Sequence, residues 1–166
     1  YTEGNSHTEE FYSLMIFATA GMMFVASAND LMVLFVAFEL ASLATYALAG
    51  FEKKNPISLE ASMKYFMIGS LSAALMLFGI SFIYGATGTT SIPGVAANID
   101  ILLGSPMGLL SVVLMIAGLG FKIALVPFHM WAPDTYQGSP SVVSSLLAAG
   151  SKKMGFVAAF KVFMIA

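Results

Sequence analysis

The chain has no cysteine. Without a thiolate it can build no disulfide, no iron–sulfur cluster and no cysteine-held zinc site. Any electron transfer through such centres falls to other proteins. Charge is also scarce. Asp, Glu, Lys and Arg make up 10% of the 166 residues, against 58% hydrophobic residues and a mean hydropathy of +0.87. So few charges cannot cover the surface of a water-soluble domain. The net charge of −2 is too small to attract nucleic acid or a strongly charged partner. Strand-like alternation, short repeats and haem, phosphate or metal motifs are missing. The first ten residues are polar and acidic with no basic stretch, so they do not read as a signal peptide. An opening at Tyr1 instead of a methionine, and a close inside the apolar run from Lys161 to Ala166, lead us to expect a segment of a longer protein.

Apolar sequence is abundant, in runs of about 18 residues or more, close to the ~20 that cross about 30 Å of hydrocarbon at 1.5 Å per residue. The pattern predicts an all-α, polytopic transmembrane helix bundle with five spans in a single domain, residues 1–166. The first span is expected from about Phe11 to Ala28, closed by a polar turn at Asn29-Asp30. The second runs from about Leu31 to Phe51. The third runs from about Leu59 to Tyr84, in a helix capped by Asn55 with Pro56 in its first turn. Gly85 to Ser105, rich in Gly, Thr, Ser and Pro, reads as a loop. The fourth, about Pro106 to Pro133, holds Pro127 in apolar surroundings. A proline there removes a backbone hydrogen bond and collides with the preceding turn. The span is therefore expected to break at Pro127 while still in the membrane, freeing carbonyls near Ile123 and Ala124. The fifth spans about Pro140 to Ala166. Lys53 and Lys54 place the second-to-third connection on the cytoplasmic side, and the loop without Lys or Arg outside. By parity the acidic N-terminal segment is then inside.

Glu39, Lys122 and Lys152 stand deep in these spans. Glu39 is nine residues past Asp30 and twelve before Phe51, about 14 and 18 Å from the ends by helical rise. Lys152 is twelve residues past Pro140, and Lys122 nine before Trp131, which reads as an interfacial anchor. A charge at mid-membrane costs about 2.5–3.5 kcal/mol even on lenient insertion scales, so each needs a partner or a task. One carboxylate cannot neutralise two lysines, which points away from permanent structural pairing and toward a proton or cation pathway. Ser141, Ser145, Ala148, Lys152 and Gly155 share a small, polar stripe expected to face other helices. Glu39 shares a face with Ser42 and Tyr46. Lys153 points about 100° away from Lys152. Lys64, about 7 Å into its span, and Lys161 can snorkel to headgroups. His129, just after the break, reads either as a packing histidine or as a proton relay. His7 reads as a loop residue.

The string from Gly118 to Ser141, GLGFKIALVPFHMWAPDTYQGSPS, resembles the broken-helix signature of the antiporter-like membrane subunits of respiratory complex I. SANDLMVLFVAFELASLATYALAGF resembles their glutamate-bearing helix. The likeness covers essentially the whole chain. Asp134 to Pro140 and the Ser151-Lys152 pair are closer to the N-type subunits than to the L and M types. The resemblance implies a protein of about fourteen helices with two five-helix repeats of inverted topology, and this chain corresponds to the first repeat. It implies Glu39 as the ion-pair glutamate, Lys122 as its broken-helix partner and Lys152 as the central lysine. Lys64 then matches a further lysine of N-type subunits. His129, from its place just after the break, and Pro127 at the break itself are further candidates read from the residues.

The function expected from this resemblance is proton translocation in a complex I-like NADH (or related donor):quinone oxidoreductase. No cofactor, metal or redox centre is expected in this chain. Quinone and NADH, or another donor such as a deazaflavin, would belong to partner membrane and redox subunits. The expected location is a prokaryotic cell membrane or an energy-transducing organelle membrane. A lysine stripped of water holds its proton less tightly, and a nearby carboxylate restores the hold. At about 5 Å and an effective dielectric of about 20 the attraction is about 3 kcal/mol. Movement of Glu39 relative to Lys122 would load or unload a proton. The alternatives are a stand-alone Mrp-type cation/proton antiporter and a helical scaffold without transport.

Overall fold

The computed structural model describes residues 7–165, with only the backbone of residue 165. The N-terminal segment that carries the parity reading of orientation lies mostly outside the described residues. Among the described residues four helices are long and apolar enough to cross a membrane: α1 (Thr8–Ser27), α2 (Leu31–Ala49), α3 (Pro56–Thr87) and α6 (Pro106–Ile123). Among the described residues there is no strand.

Each start is written locally. At α1, His7 occupies the cap position rather than a loop, with Nδ1 3.1 Å from Glu10 Oε1. Asp30 caps α2 by accepting from the Met32 and Val33 amides at 2.8 and 3.2 Å. Asn55 accepts from the Ile57 amide at 3.1 Å and Pro56 opens α3. Ser105 accepts from the Gly108 amide at 3.0 Å and Pro106 opens α6. These oxygens satisfy amides that have no partner within the first turn.

The stretch from Gly85 to Ser105 is more ordered than a loop. α3 continues to Thr87, and two short helices come next, α4 (Ile92–Ala97) and α5 (Ile99–Leu103), which bury Ile92, Val95 and Leu102. The Asn29-Asp30 turn is fastened to this region. Leu31 N–H donates to the Thr90 carbonyl at 2.8 Å, Ile92 N–H to the Asn29 carbonyl at 3.0 Å, and the Thr90 hydroxyl to Asp30 Oδ2 at 2.6 Å.

The fourth span breaks earlier than expected. α6 ends at Ile123, four residues before Pro127, because Ala124 turns left-handed (φ 57°, ψ 45°). The Ala124 amide then reaches Phe121 O at 3.0 Å and the Leu125 amide reaches Gly120 O at 2.8 Å, the paired bonds of a Schellman close. The Phe121 carbonyl also accepts from Trp131 Nε1 at 3.0 Å. The carbonyls of Gly120 and Phe121 are thus both occupied, and that of Phe121 takes a side-chain donor as well. Pro127 lies in the turn between α6 and α7 (Trp131–Gly138). Trp131 is buried, not an interfacial anchor.

The fifth span is one helical run, 141–165, built of α8 (Ser141–Leu146), a π-helical stretch (Leu147–Ser151), α9 (Lys152–Phe160) and a second π-helical stretch (Lys161–Ile165). Its buried face is Val143, Leu147, Ser151, Met154, Gly155 and Ala158. Ser141, Ser145 and Ala148 are exposed in this chain, so the stripe expected to meet other helices is not packed against the described ones. It agrees with the buried face only at Gly155, because the actual inward register runs through 143, 147 and 151 and each π turn rotates the helix face beyond it.

The helices pack in sequence, α1 on α2, α2 on α3, α3 on α6 and α6 on α9, which returns to α1. Small residues permit this closeness, as packing between membrane helices demands. A Cβ on Gly21 would lie 2.6 Å from the Ala41 amide nitrogen, and one on Gly118 2.5 Å from Met76 Cβ. Ser72 adds a hydrogen bond across α3 and α6 to Gly118 O at 2.7 Å. At the end of the run, Lys161 Nζ donates to Ala28 O at 2.6 Å, joining the fifth span to the end of the first. Ile16, Met23, Phe24, Val36, Leu43, Met67, Leu71 and Phe78 stay exposed, an apolar exterior suited to lipid.

Candidate functional site

Lys122 stands in the last turn of α6, where the helix dipole favours a cation, and is 0% exposed. Its ammonium donates to Ser42 Oγ of α2 at 2.9 Å and to the Tyr65 hydroxyl of α3 at 3.0 Å. The rings of Phe38, Tyr46 and Tyr65 surround it with centroids at 5.6, 5.6 and 5.3 Å. Negative ring faces at that range attract a desolvated cation. Packing holds this cage in place. Tyr65 meets Tyr46 edge-on at 4.6 Å and stacks on Trp131 at 4.6 Å and 18°. Gly69 is needed beneath Tyr46, whose hydroxyl a Cβ there would strike.

The hydroxyls around Lys122 have a fixed order. Ser42 Oγ donates to Phe38 O at 2.8 Å, and Thr45 Oγ1 donates to Ser42 O at 2.9 Å. Thr45 Oγ1 lies 3.3 Å from the Tyr65 hydroxyl. Each hydroxyl has one proton to give. Thr45 has spent its proton on a carbonyl, so Tyr65 is the donor in that contact. Ser42 and Tyr65 consequently present only oxygen lone pairs to Lys122, and two of the three ammonium protons are taken.

Glu39 does not complete an ion pair. It is half-buried, on the same helix as Ser42, and Lys122 is the cation whose charge it feels, yet the two are not joined at 4.0 Å or less. Hydroxyl oxygens, not a carboxylate, accept from the Lys122 ammonium here.

Lys152 is half-buried at the junction of the π stretch and α9, with Nζ 5.1 Å above the Tyr136 ring of α7. One turn on, a Cβ at Gly155 would lie 3.2 Å from Lys122 Cβ, so the fifth span crosses α6 beside Lys122. Tyr65, Trp131 and Tyr136 run between the lysines, with Trp131 to Tyr136 at 6.2 Å. Nearby, α7, its C-terminal cap and the π stretch carry four buried hydroxyls without partners among the described residues: Thr135, Tyr136, Ser139 and Ser151. Such groups are sites for ordered water or for side chains from elsewhere.

The other candidates lie apart. Lys64 is 44% exposed and paired with Glu60 and Asp134, each at 2.7 Å. Its neighbour Tyr65, about 100° around the helix, faces inward. His129 is exposed between α6 and α7, with no side-chain hydrogen bond among the described residues. Lys153 is exposed. Sequence reasoning does not single out Tyr65 or Thr45. Thr45 carries a usable signal, three residues after Ser42 on the Glu39 face, whereas Tyr65 is hidden beside the more conspicuous Lys64. Among the described residues no cluster of His, Asp and Glu is arranged to hold a metal ion.

Residues 28–166 match the family described as NADH:quinone oxidoreductase/Mrp antiporter, TM. Over all 166 residues the chain is 75% identical to the F(420)H(2) dehydrogenase subunit N of Methanosarcina mazei, covering 34% of that protein. It is 44% identical over 158 residues to NADH-quinone oxidoreductase subunit N of Myxococcus xanthus, with 94% of this chain and 30% of that protein aligned. The chain thus spans about a third of the length of the curated relatives it matches. A subunit of respiratory complex I from Thermus thermophilus with bound aureothin superposes with a TM-score of 0.80 at 41% identity, over 92% of this chain and 34% of that one. A chain of the Mrp complex from Dietzia sp. DQ12-45-1b gives 0.80 at 25%, over 90% and 28%. The chain belongs to the NADH:quinone oxidoreductase/Mrp antiporter transmembrane family.

Proposed function

We propose that this chain is the first helical repeat of an N-type, proton-translocating membrane subunit. Its energy would come from electron transfer between a reduced donor and a quinone in partner subunits. The 75% identity to the F(420)H(2) dehydrogenase subunit N favours a deazaflavin donor over NADH. The single observation that carries the reading is Lys122, wholly buried and held by neutral oxygens and rings, with no carboxylate at ion-pair distance among the described residues. A lysine kept only for structure would rest on its carboxylate, since an unpaired buried charge is costly.

Magnitudes allow switching. Two charge-assisted hydrogen bonds at about 1.5–3 kcal/mol each compete with an attraction to Glu39 of about 3 kcal/mol at about 5 Å and a dielectric of about 20. The cradle's two bonds thus match the pull of Glu39 or exceed it by up to about 3 kcal/mol. Glu39 moving toward Lys122 loads the lysine with a proton. Its withdrawal leaves the charge to the cradle, from which the proton passes toward Lys152 along the Tyr65–Trp131–Tyr136 side. Lys64 and His129 would act at the surface.

The test is proton pumping per donor oxidised by the full-length protein in its complex, reconstituted in liposomes. Glu39→Gln, Lys122→Met and Lys152→Met should assemble and lose most of the pumped protons. Normal pumping in all three would sink the proposal. Robust sodium or potassium exchange by the isolated subunit would favour the antiporter reading instead.

A further inference from the structure

The hydroxyl order around Lys122 has a direction, and one residue sets it. Tyr65 can face Lys122 in two ways. With its proton turned away, its oxygen accepts from an ammonium. With its proton turned inward, it donates to a neutral amine. The two orientations stabilise opposite protonation states of the same lysine. What selects between them is the acceptor for the Tyr65 proton, and that acceptor is Thr45 Oγ1 at 3.3 Å, itself committed to Ser42 O at 2.9 Å. Thr45 and Ser42 are both 0% exposed, so no bulk water competes for these protons.

We propose that Thr45 is a positioning residue, which by taking the Tyr65 proton turns the Tyr65 oxygen toward Lys122 and makes the cradle hold that lysine in its charged form. It touches neither the lysine nor a transferred proton, and acts through Tyr65. The inference deepens the proton-carrying role proposed for Lys122 and rests on it for its functional meaning. Its chemical core, the preference of the cradle for an ammonium, rests on the geometry alone.

Other groups also bear on Lys122. α2 presents Glu39 and Tyr46, α3 presents Tyr65, α7 places Tyr136 beyond Trp131, and α9 brings Lys152. Replacing Thr45 changes none of these side chains, which makes it a clean lever. Thr45→Val keeps the shape and removes the acceptor. A buried O–H left without a partner turns to the nearest alternative, here the nitrogen of a neutral Lys122.

The experiment tracks the Lys122 ammonium by nuclear magnetic resonance with ¹⁵N-lysine labelling in the full-length protein, assigned against Lys122→Met, alongside the pH profile of pumping in the reconstituted complex. In Thr45→Val the titration should move acidward by about one pH unit, a tenfold change in the protonation equilibrium, as one hydrogen bond is worth. Thr45→Ser should restore the wild-type titration. Tyr65→Phe should move it the same way, and Thr45→Val added to Tyr65→Phe should add nothing, because the effect passes through the missing hydroxyl. An unmoved Lys122 titration in Thr45→Val, or shifts that add in the double variant, would overturn the proposal. A titration that moves while pumping keeps its profile would leave the cradle standing and remove Lys122 from the proton path.

Discussion

Lys64 Nζ lies 2.7 Å from Asp134 Oδ2, across 70 positions of sequence, and this pair ties the first turns of α3 to the short helix beyond the break in the fourth span. Glu60 supports it from one turn away, also at 2.7 Å. The contact fixes α7 from outside, while Trp131 fixes it from inside through Phe121 O at 3.0 Å. Both charged partners are nearly half exposed, at 44% and 47%, so solvent and salt screen them.

That exposure separates Lys64 from Lys122 in a measurable way. Lys64→Met and Asp134→Asn in the full-length protein are expected to lower pumping by less than about threefold, within what a screened surface pair can contribute, whereas Lys122→Met is expected to remove most of it. Loss of pumping in Lys64→Met equal to that in Lys122→Met would put Lys64 in the path itself.

Ala124 stands where the chain needs a left-handed residue, at φ 57°. An L-residue there costs about 1–2 kcal/mol, and glycine avoids the cost at some loss of chain entropy. Ala124→Gly should therefore raise thermal stability in detergent by up to about 1 kcal/mol with the break unmoved. A lower melting temperature would show that the alanine methyl contributes packing that outweighs its backbone strain.

Asp30 gives the Asn29-Asp30 turn a dependence on pH. The Thr90 hydroxyl, with the Met32 and Val33 amides, holds its carboxyl below the usual carboxylate range, against the opposing effect of burial. A lowered folded value means that its contribution is complete above the unfolded value of about 3.9 and fades as pH falls through the lower folded one. Asp30→Ala should cost about 1 kcal/mol at neutral pH, as lost caps do, and the deficit should shrink below about pH 4. A deficit constant down to pH 2 would mean that the ionised carboxylate is not what stabilises the turn.

Much of the bundle is legible without coordinates. Apolar runs mark the first three long helices within a few residues, and Asp30, Asn55 with Pro56, and Pro106 mark helix starts through local chemistry that needs no tertiary partner. The break is legible in kind but not in place. Pro127 is visible in sequence, whereas the left-handed turn at Ala124 is an alanine doing what glycine usually does, which no composition signal reveals. The register of the fifth span escapes for a related reason. A regular 3.6-residue period cannot register π turns, so it turns Ser141, Ser145 and Ala148 inward and passes over the burial of Ser151.

The sequence by itself determined that this chain lies in a membrane, because nothing else accommodates so much apolar length with so little charge. It also singled out Glu39, Lys122 and Lys152 as ionisable groups within apolar helical runs. Only the tertiary structure decided what Lys122 rests on. Its neighbours, Ser42, Thr45 and Tyr65, come from two other helices and are ordinary residues in any linear pattern. The direction of a hydroxyl proton depends on which acceptor packing brings within reach.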